Sequence, residues 1–116
     1  MQLATQSDVD ILAVVNPIMD NLMQASTDID HDAHIRDFTE RLKAIVTPEH
    51  LQTVCERYQA KWGLLDRREV VGVFRRAESV AVVWKQWCTN TDDEFVAELV
   101  LVEDDGRYLV DHVVFF

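Results

Sequence analysis

The stretch "LVLVEDDGRYLVDHVVFF", residues 99–116, decides how the rest of the chain is read. Apolar residues alternate with others on both sides of Asp105-Gly106, and an Asp-Gly pair in that setting is a strong local signal for a tight hairpin. A two-residue turn there pairs Asp104 with Arg107, and the register follows by counting outward. Leu101 then faces Val110, Leu99 faces His112, Ala97 faces Val114 and Phe95 faces Phe116. That face is apolar apart from His112 and is expected to turn inward. The other face, with Glu94, Val96, Glu98, Val100 and Val102 beside Leu109, Asp111, Val113 and Phe115, is mixed and is expected to turn outward.

The segment before this hairpin is "VAVVWKQWC", residues 80–88, with two tryptophans three positions apart. Side chains alternate faces along a strand, so Trp84 and Trp87 point to opposite sides. Lys85 chooses between them, because an unpaired lysine in the core is costly and Glu98 is available outside. Placing Lys85 opposite Glu98 sends Trp84 inward, in a row with Leu99 and His112, and sends Trp87 outward. Gln86, Ala97 and Val114 form the next inward row. The connection "TNTDD" does not itself fix the register across 88–94. The period-2 pattern predicts strands at 68–75, 79–88, 94–103 and 107–116, joined by "RAES", "TNTDD" and "EDDGR".

Before residue 68 the apolar period is that of a helix. "SDVDILAVVNPIMDNLMQAS" carries Ile11, Val14, Val15, Ile18, Met19, Leu22 and Met23 on one face, with Ser7 as its cap. Pro17 either kinks this helix or opens a new one capped by Asn16. After the polar connection "STDIDHDAHIRD", a second helix is expected through Ile35, Phe38, Leu42 and Ile45. Thr47 and Pro48 open a third, with the stripe Leu51, Val54, Cys55, Tyr58 and Trp62. Gly63 stands at a left-handed C-terminal cap, with Leu64 packing back. Helices followed by short-linked strands predict an α+β fold, one domain over 1–116, with helices on the concave face of a curved four-stranded antiparallel sheet.

Composition narrows the function. A net charge of -10 and a pI near 4.6 argue against nucleic acid and anionic membranes as partners. Cys55 and Cys88 stand in no paired motif and are expected as buried free thiols. No basic segment leads into a signal-type apolar core, and no run reaches the ~20 apolar residues of a membrane span. A cytoplasmic location is expected.

"NPIMDNLMQA", "DHDAHIRDFTERLKAIVTPEHL", "KWGLLDRREVVGVFRR", "VVWKQW" and "DDGRYLVDHVVFF" occur in an order that resembles the cystatin-like folds of the nuclear-transport-factor-2-like superfamily, in particular its short bacterial members of unassigned function. The resemblance implies a sheet curled around a conical pocket, and dimers joined by sheet faces. Ketosteroid isomerases, dehydratases and non-enzymatic binding domains share the fold, so fold does not select activity. The pocket Asp, Tyr or Asp–His couple of its enzymes has no match here, and no catalytic residue carries over.

Several residues remain as candidates. Tyr58, Trp62 and Trp84, closed off by Met19 and Met23 with His112 beside them, are expected to line a small apolar pocket. His112 is the one candidate for acid–base chemistry, which an isomerase or dehydratase acting on a small hydrophobic substrate would need. Trp87, Val96, Val100, Val113 and Phe115 form an apolar outer patch, which a two-fold dimer or a protein partner would cover. His31, His34 and Asp37 share a helical face but read as cap and surface residues, so no metal or other cofactor is expected. The favoured expectation is a non-catalytic binding or accessory domain, dimeric through the outer face and holding a small apolar ligand.

Overall fold

A computed structural model describes residues 2–116. Four helices, α1 (Asp8–Asp28), α2 (His31–His34), α3 (Glu40–Ile45) and α4 (Pro48–Trp62), precede four strands. The strands, β1 (Leu65–Arg75), β2 (Val80–Cys88), β3 (Thr91–Asp104) and β4 (Arg107–Phe115), form one antiparallel sheet in the order β1-β2-β3-β4. The fold is α+β, with the helices on the concave face of the curved sheet. One core joins Ile11, Val15 and Leu22 of α1 and Leu51 of α4 to Val82, Leu99 and Leu101 of the sheet.

The helix caps are side-chain oxygens at the positions that leave amides unpaired. Ser7, Asp30, Thr39 and Thr47 accept from the amides of Asp10, Ala33, Leu42 and His50. Pro17 neither ends nor restarts α1, which runs through it as one helix. Both Pro17 and Ala13, whose carbonyl loses its partner, are on the exposed side.

The second helix expected from Ile35, Phe38, Leu42 and Ile45 is instead two short pieces. Between them the backbone pairs with β4: Phe38 bridges Val110 in parallel, Val110 donates to the Asp37 carbonyl at 2.7 Å, and Thr39 donates to the Val110 carbonyl at 2.9 Å. Backbone pairing along a sheet edge has overridden helical periodicity, and Ile45 is left exposed. Within α2, His31 Nε2 lies 2.8 Å from the Val46 carbonyl, and His34 packs edge-on against Phe38. Asp37 accepts from Arg36 and pairs with Arg107, so the three residues of the possible metal stripe are engaged separately.

The Asp105-Gly106 turn sets the expected pairs from Asp104↔Arg107 to Leu101↔Val110. Beyond them the register shifts by one residue: Val100 faces His112, Leu99 faces Val113 and Ala97 faces Phe115. Asp111 is the extra residue of this bulge, which reverses the faces of everything after it. His112 therefore lies outside, and Val113 and Phe115 lie inside, opposite to the expected arrangement.

Trp84 is inward and Trp87 outward as expected, but the register between β2 and β3 differs by two residues. Trp84 faces Ala97, Lys85 faces Val96, and the lysine pairs with Glu94 at 2.9 Å rather than with Glu98. The connection is shorter than expected, with Thr89 and Asn90 alone between the strands. Thr89 ties this turn to the end of α4, since the Leu64 amide donates to its hydroxyl and its own amide donates to the Leu64 carbonyl, both at 2.9 Å. Leu64 is 41 % exposed rather than packed back on the helix.

Gly63 and Gly106 both have positive φ, at 85° and 77°, but only one is crowded. A Cβ on Gly63 would stand 2.2 Å from Thr89 Oγ1, whereas one on Gly106 would meet nothing within 4 Å. Gly63→Ala is therefore expected to cost about 3 kcal/mol or more and Gly106→Ala about 1 kcal/mol in chemical denaturation; equal costs would contradict the α4–turn contact. A second prediction concerns His34, whose Nδ1 is buried without a partner. Burial, reinforced by His31, lowers its pKa from 6.5 to about 4. Between those values the unfolded chain binds a proton that the folded chain refuses, so stability falls as pH falls through the window. The loss is at most about 3 kcal/mol, and His34→Phe is expected to flatten the slope. Identical slopes in the two proteins would contradict the burial of this imidazole.

Candidate functional site

Two helical stripes and the inner sheet face line a half-open cavity of about 350 Å³. Met19, Met23 and Ser26 face it from α1, and Leu51, Cys55 and Tyr58 from α4, at spacings that keep each set on one helix face. The sheet contributes Gln86, Ala97, Val113 and Phe115. Phe115 occupies its place because of the Asp111 bulge, and its ring stands edge-on to Tyr58 at 5.1 Å.

The polar groups form a short hydrogen-bonded chain. Gln59 Nε2 can only donate, and it reaches Tyr58 Oη at 3.4 Å as well as the Ser26 and Thr27 carbonyls. Ser26 Oγ lies 2.8 Å from Tyr58 Oη and 3.3 Å from Cys55 Sγ, and in each of these hydrogen bonds either partner can donate. Burial raises the pKa of Cys55 and that of Tyr58, so both stay protonated at neutral pH. The cluster is neutral, and Cys55 presents a thiol rather than a nucleophilic thiolate.

Gln86 is the polar residue of the sheet side, with 1 % of its surface exposed. Its Nε2 donates to the carbonyls of Asp66, Arg67 and Trp87 at 3.1, 3.3 and 2.8 Å. The first two belong to the irregular start of β1, where the pairing with β2 shifts between Leu65 and Arg68. Gln86 thus satisfies carbonyls that the interrupted ladder leaves free. No lysine, arginine, aspartate or glutamate lines the cavity.

Of the residues expected in the pocket, the structure brings together Met19, Met23 and Tyr58. Trp62 stands behind the wall, 4.6 Å from Phe95 and 6.2 Å from Phe115 between ring centroids. Trp84 lines a separate open cleft between α1 and β1, where Arg68 lies 5.5 Å from its ring and pairs with Asp20 at 2.8 Å. His112 belongs to the outer face, its Nε2 2.9 Å from Glu98 Oε1, and cannot reach the cavity. Ser26, Cys55 and Gln86 were not expected to line the pocket, although Cys55 was expected as a buried free thiol on the third helix and Gln86 on the inward face of the sheet. Ser26 continues the Met19–Met23 stripe, but was assigned to a polar connection that begins two residues before α1 ends at Asp28.

On the outer face, Trp87 is covered by Arg67, whose guanidinium lies 3.7 Å from the ring centroid. Its outward position therefore has a cause within the chain. Val96 and Val100 remain on that face, while Val113 and Phe115 leave the expected patch for the interior. Among the described residues no group of three histidine, cysteine or acidic side chains is placed to hold a metal ion. No described helix is long and apolar enough to cross a membrane.

No family model and no curated protein matches the chain. Solved structures do. A nuclear-transport-factor-2-like protein of unknown function from Shewanella baltica superimposes with a TM-score of 0.61 at 7 % identity, covering 97 % of each chain. One from Pseudomonas putida gives 0.58 at 15 % identity, over 95 % of this chain and 88 % of that one. A putative calcium/calmodulin-dependent protein kinase type II association domain from Thiobacillus denitrificans gives 0.59 at 12 % identity, over 84 % and 90 %. The helix order, the four-stranded sheet curled over α1 and α4, and these likenesses agree: the chain has the nuclear-transport-factor-2-like fold.

Proposed function

We propose that the chain is a non-catalytic binding domain that holds a small, largely apolar molecule between α1, α4 and the concave face of the sheet. The observation that carries this reading is the cavity of about 350 Å³ itself, with apolar walls and few polar atoms. Its hydroxyls hydrogen-bond to one another and its thiol is protonated, so neither the hydroxyls nor Cys55 serve as an activated nucleophile, while the imidazoles of His34 and His50 stand at the lining. Isomerase or dehydratase action through His112 loses support, because that ring lies across the sheet from the cavity. Both cysteines are free and buried, which suits a reducing compartment such as the cytoplasm.

A second reading concerns the outer face. On β1, Val71 and Phe74 are 61 % and 53 % exposed, and across β2 the β3 residues Val96 and Val100 are half-buried. A second copy of this chain covering that face in a homodimer is the occupant we favour.

Both readings have direct tests. Titrating methyl-labelled methionine protein with benzofuran is expected to shift the Met19 and Met23 signals. Ala97→Leu, which fills the cavity from a site 1 % exposed, is expected to weaken binding about tenfold or more, while His112→Ala leaves it unchanged. Benzofuran binding equally well to Ala97→Leu would contradict the proposal. In sedimentation at micromolar concentration the protein is expected to run as a dimer and Val100→Lys as a folded monomer. A monomeric wild-type chain would contradict self-association and leave the face to a different protein partner.

A further inference from the structure

The cavity is long, narrow and different at its two ends. Its lining draws on all four strands, from Leu65 of β1 and Gln86 of β2 through Ala97 of β3 to Phe115 of β4. Neighbouring strands stand about 4.8 Å apart, so the space reaches across about 14 Å of sheet. A volume of about 350 Å³ spread over that width leaves a slot about 5 Å across. Carbon atoms in contact stand about 4 Å apart, so such a slot holds one hydrocarbon chain and no second beside it.

The end toward β1 is formed by Met23 and Leu65, and the Met23 sulfur lies 2.8 Å from a guanidinium nitrogen of Arg68 on that strand. At the other end stand His34 and His50. Their elements flank the segment that Phe38 bridges to β4, with α4 starting directly after α3. His50, Val54 and Val114 are the exposed residues of the lining, so the cavity opens between the first turns of α4 and the end of β4.

Polar chemistry follows the same division. Ser26, Tyr58 and Cys55 hydrogen-bond to one another along the wall and are engaged before any ligand enters. The imidazoles lie toward the open end, where His34 keeps a buried Nδ1 without a partner and His50 is exposed. A neutral imidazole donates at one nitrogen and accepts at the other, which suits a hydroxyl, itself donor and acceptor. A carboxylate or ammonium group would find no lysine, arginine, aspartate or glutamate in the lining to pair with.

We propose that the cavity takes an uncharged single-chain amphiphile, its chain lying across the sheet toward Met23 and Leu65 and its hydroxyl at the open end beside His34 and His50. This deepens the binding reading above and rests on it.

The wild-type chain decides the question with soluble probes, read from the same methionine-methyl shifts. 1-Octanol and cyclooctanol carry the same number of carbons in an extended and a compact form, and octanoate replaces the hydroxyl by an anion. 1-Octanol is expected to bind about tenfold or more tighter than cyclooctanol and about fivefold or more tighter than octanoate. Through-space contacts are expected between the terminal methyl of bound 1-octanol and the Met23 methyl, and between its hydroxymethyl protons and the His50 ring. Cyclooctanol binding as tightly as 1-octanol would overturn the chain shape, and octanoate binding as tightly would overturn the preference for an uncharged head. Hydroxymethyl contacts to the Tyr58 ring or to Met23 instead of His50 would overturn the orientation. Each of these results, with benzofuran still bound, leaves the cavity standing as a site. If benzofuran and the alcohols all fail to bind, the cavity is not a ligand site and this proposal falls with that reading.

Discussion

One extra residue in β4 organises this molecule. Asp111 is the bulged position, and its carboxylate accepts from the Thr39 hydroxyl at 2.8 Å and from Arg41 Nε at 3.0 Å, while Arg41 also donates to the Asp111 carbonyl. Burial opposes ionisation of Asp111, but these hydrogen bonds outweigh it and hold its carboxyl below the ordinary value. The residues just before it carry the bridge between Phe38 and Val110. The helical half of the chain is therefore fastened to the sheet where the sheet changes register. Beyond that point Val113 and Phe115 turn inward to form part of the cavity wall, and His112 turns out to Glu98.

The opposite end of the cavity depends on two other local solutions. Gly63 lets α4 end against the β2–β3 turn, with Thr89 hydrogen-bonded to both polar atoms of the Leu64 backbone. Gln86 satisfies two carbonyls at the start of β1, where the strand pairing is interrupted. Between these fixed points α4 presents Cys55 and Tyr58 to Ser26 of α1. The cavity lies where helix stripes and sheet meet around a small polar chain instead of a fully apolar contact. Its polar groups are the Ser26–Tyr58–Cys55 chain, Gln86 and the imidazoles of His34 and His50.

Much of this was legible in the chain and some was not, for physical reasons. Asp-Gly determines a turn locally, so the pairs from Asp104↔Arg107 to Leu101↔Val110 could be counted from it. The bulge had no local signal, since Asp111 is stabilised by Arg41, 70 residues away in sequence. Lys85 identified the outward face correctly because a lysine avoids the core. It could not choose its partner, since Glu94 and Glu98 lie on the same face of β3 and either carboxylate suits it equally from sequence. Phe38 kept a helical spacing that the backbone of β4 overrode. Ser26 and Gln86 looked like ordinary polar residues, and their roles emerge only when Tyr58 and the carbonyls of β1 are placed beside them.

The placement of Phe115 and His112 on opposite faces is the claim on which the cavity, its neutrality and the loss of the His112 chemistry all depend. Through-space proton contacts in solution test it directly. The Phe115 ring is expected to show strong contacts to the Tyr58 ring, with centroids 5.1 Å apart, while His112 contacts Val100 and Glu98 and no residue of α4. Contacts from His112 to Tyr58, with Phe115 touching only the outer face, would mean that β4 runs without its bulge and would contradict this account.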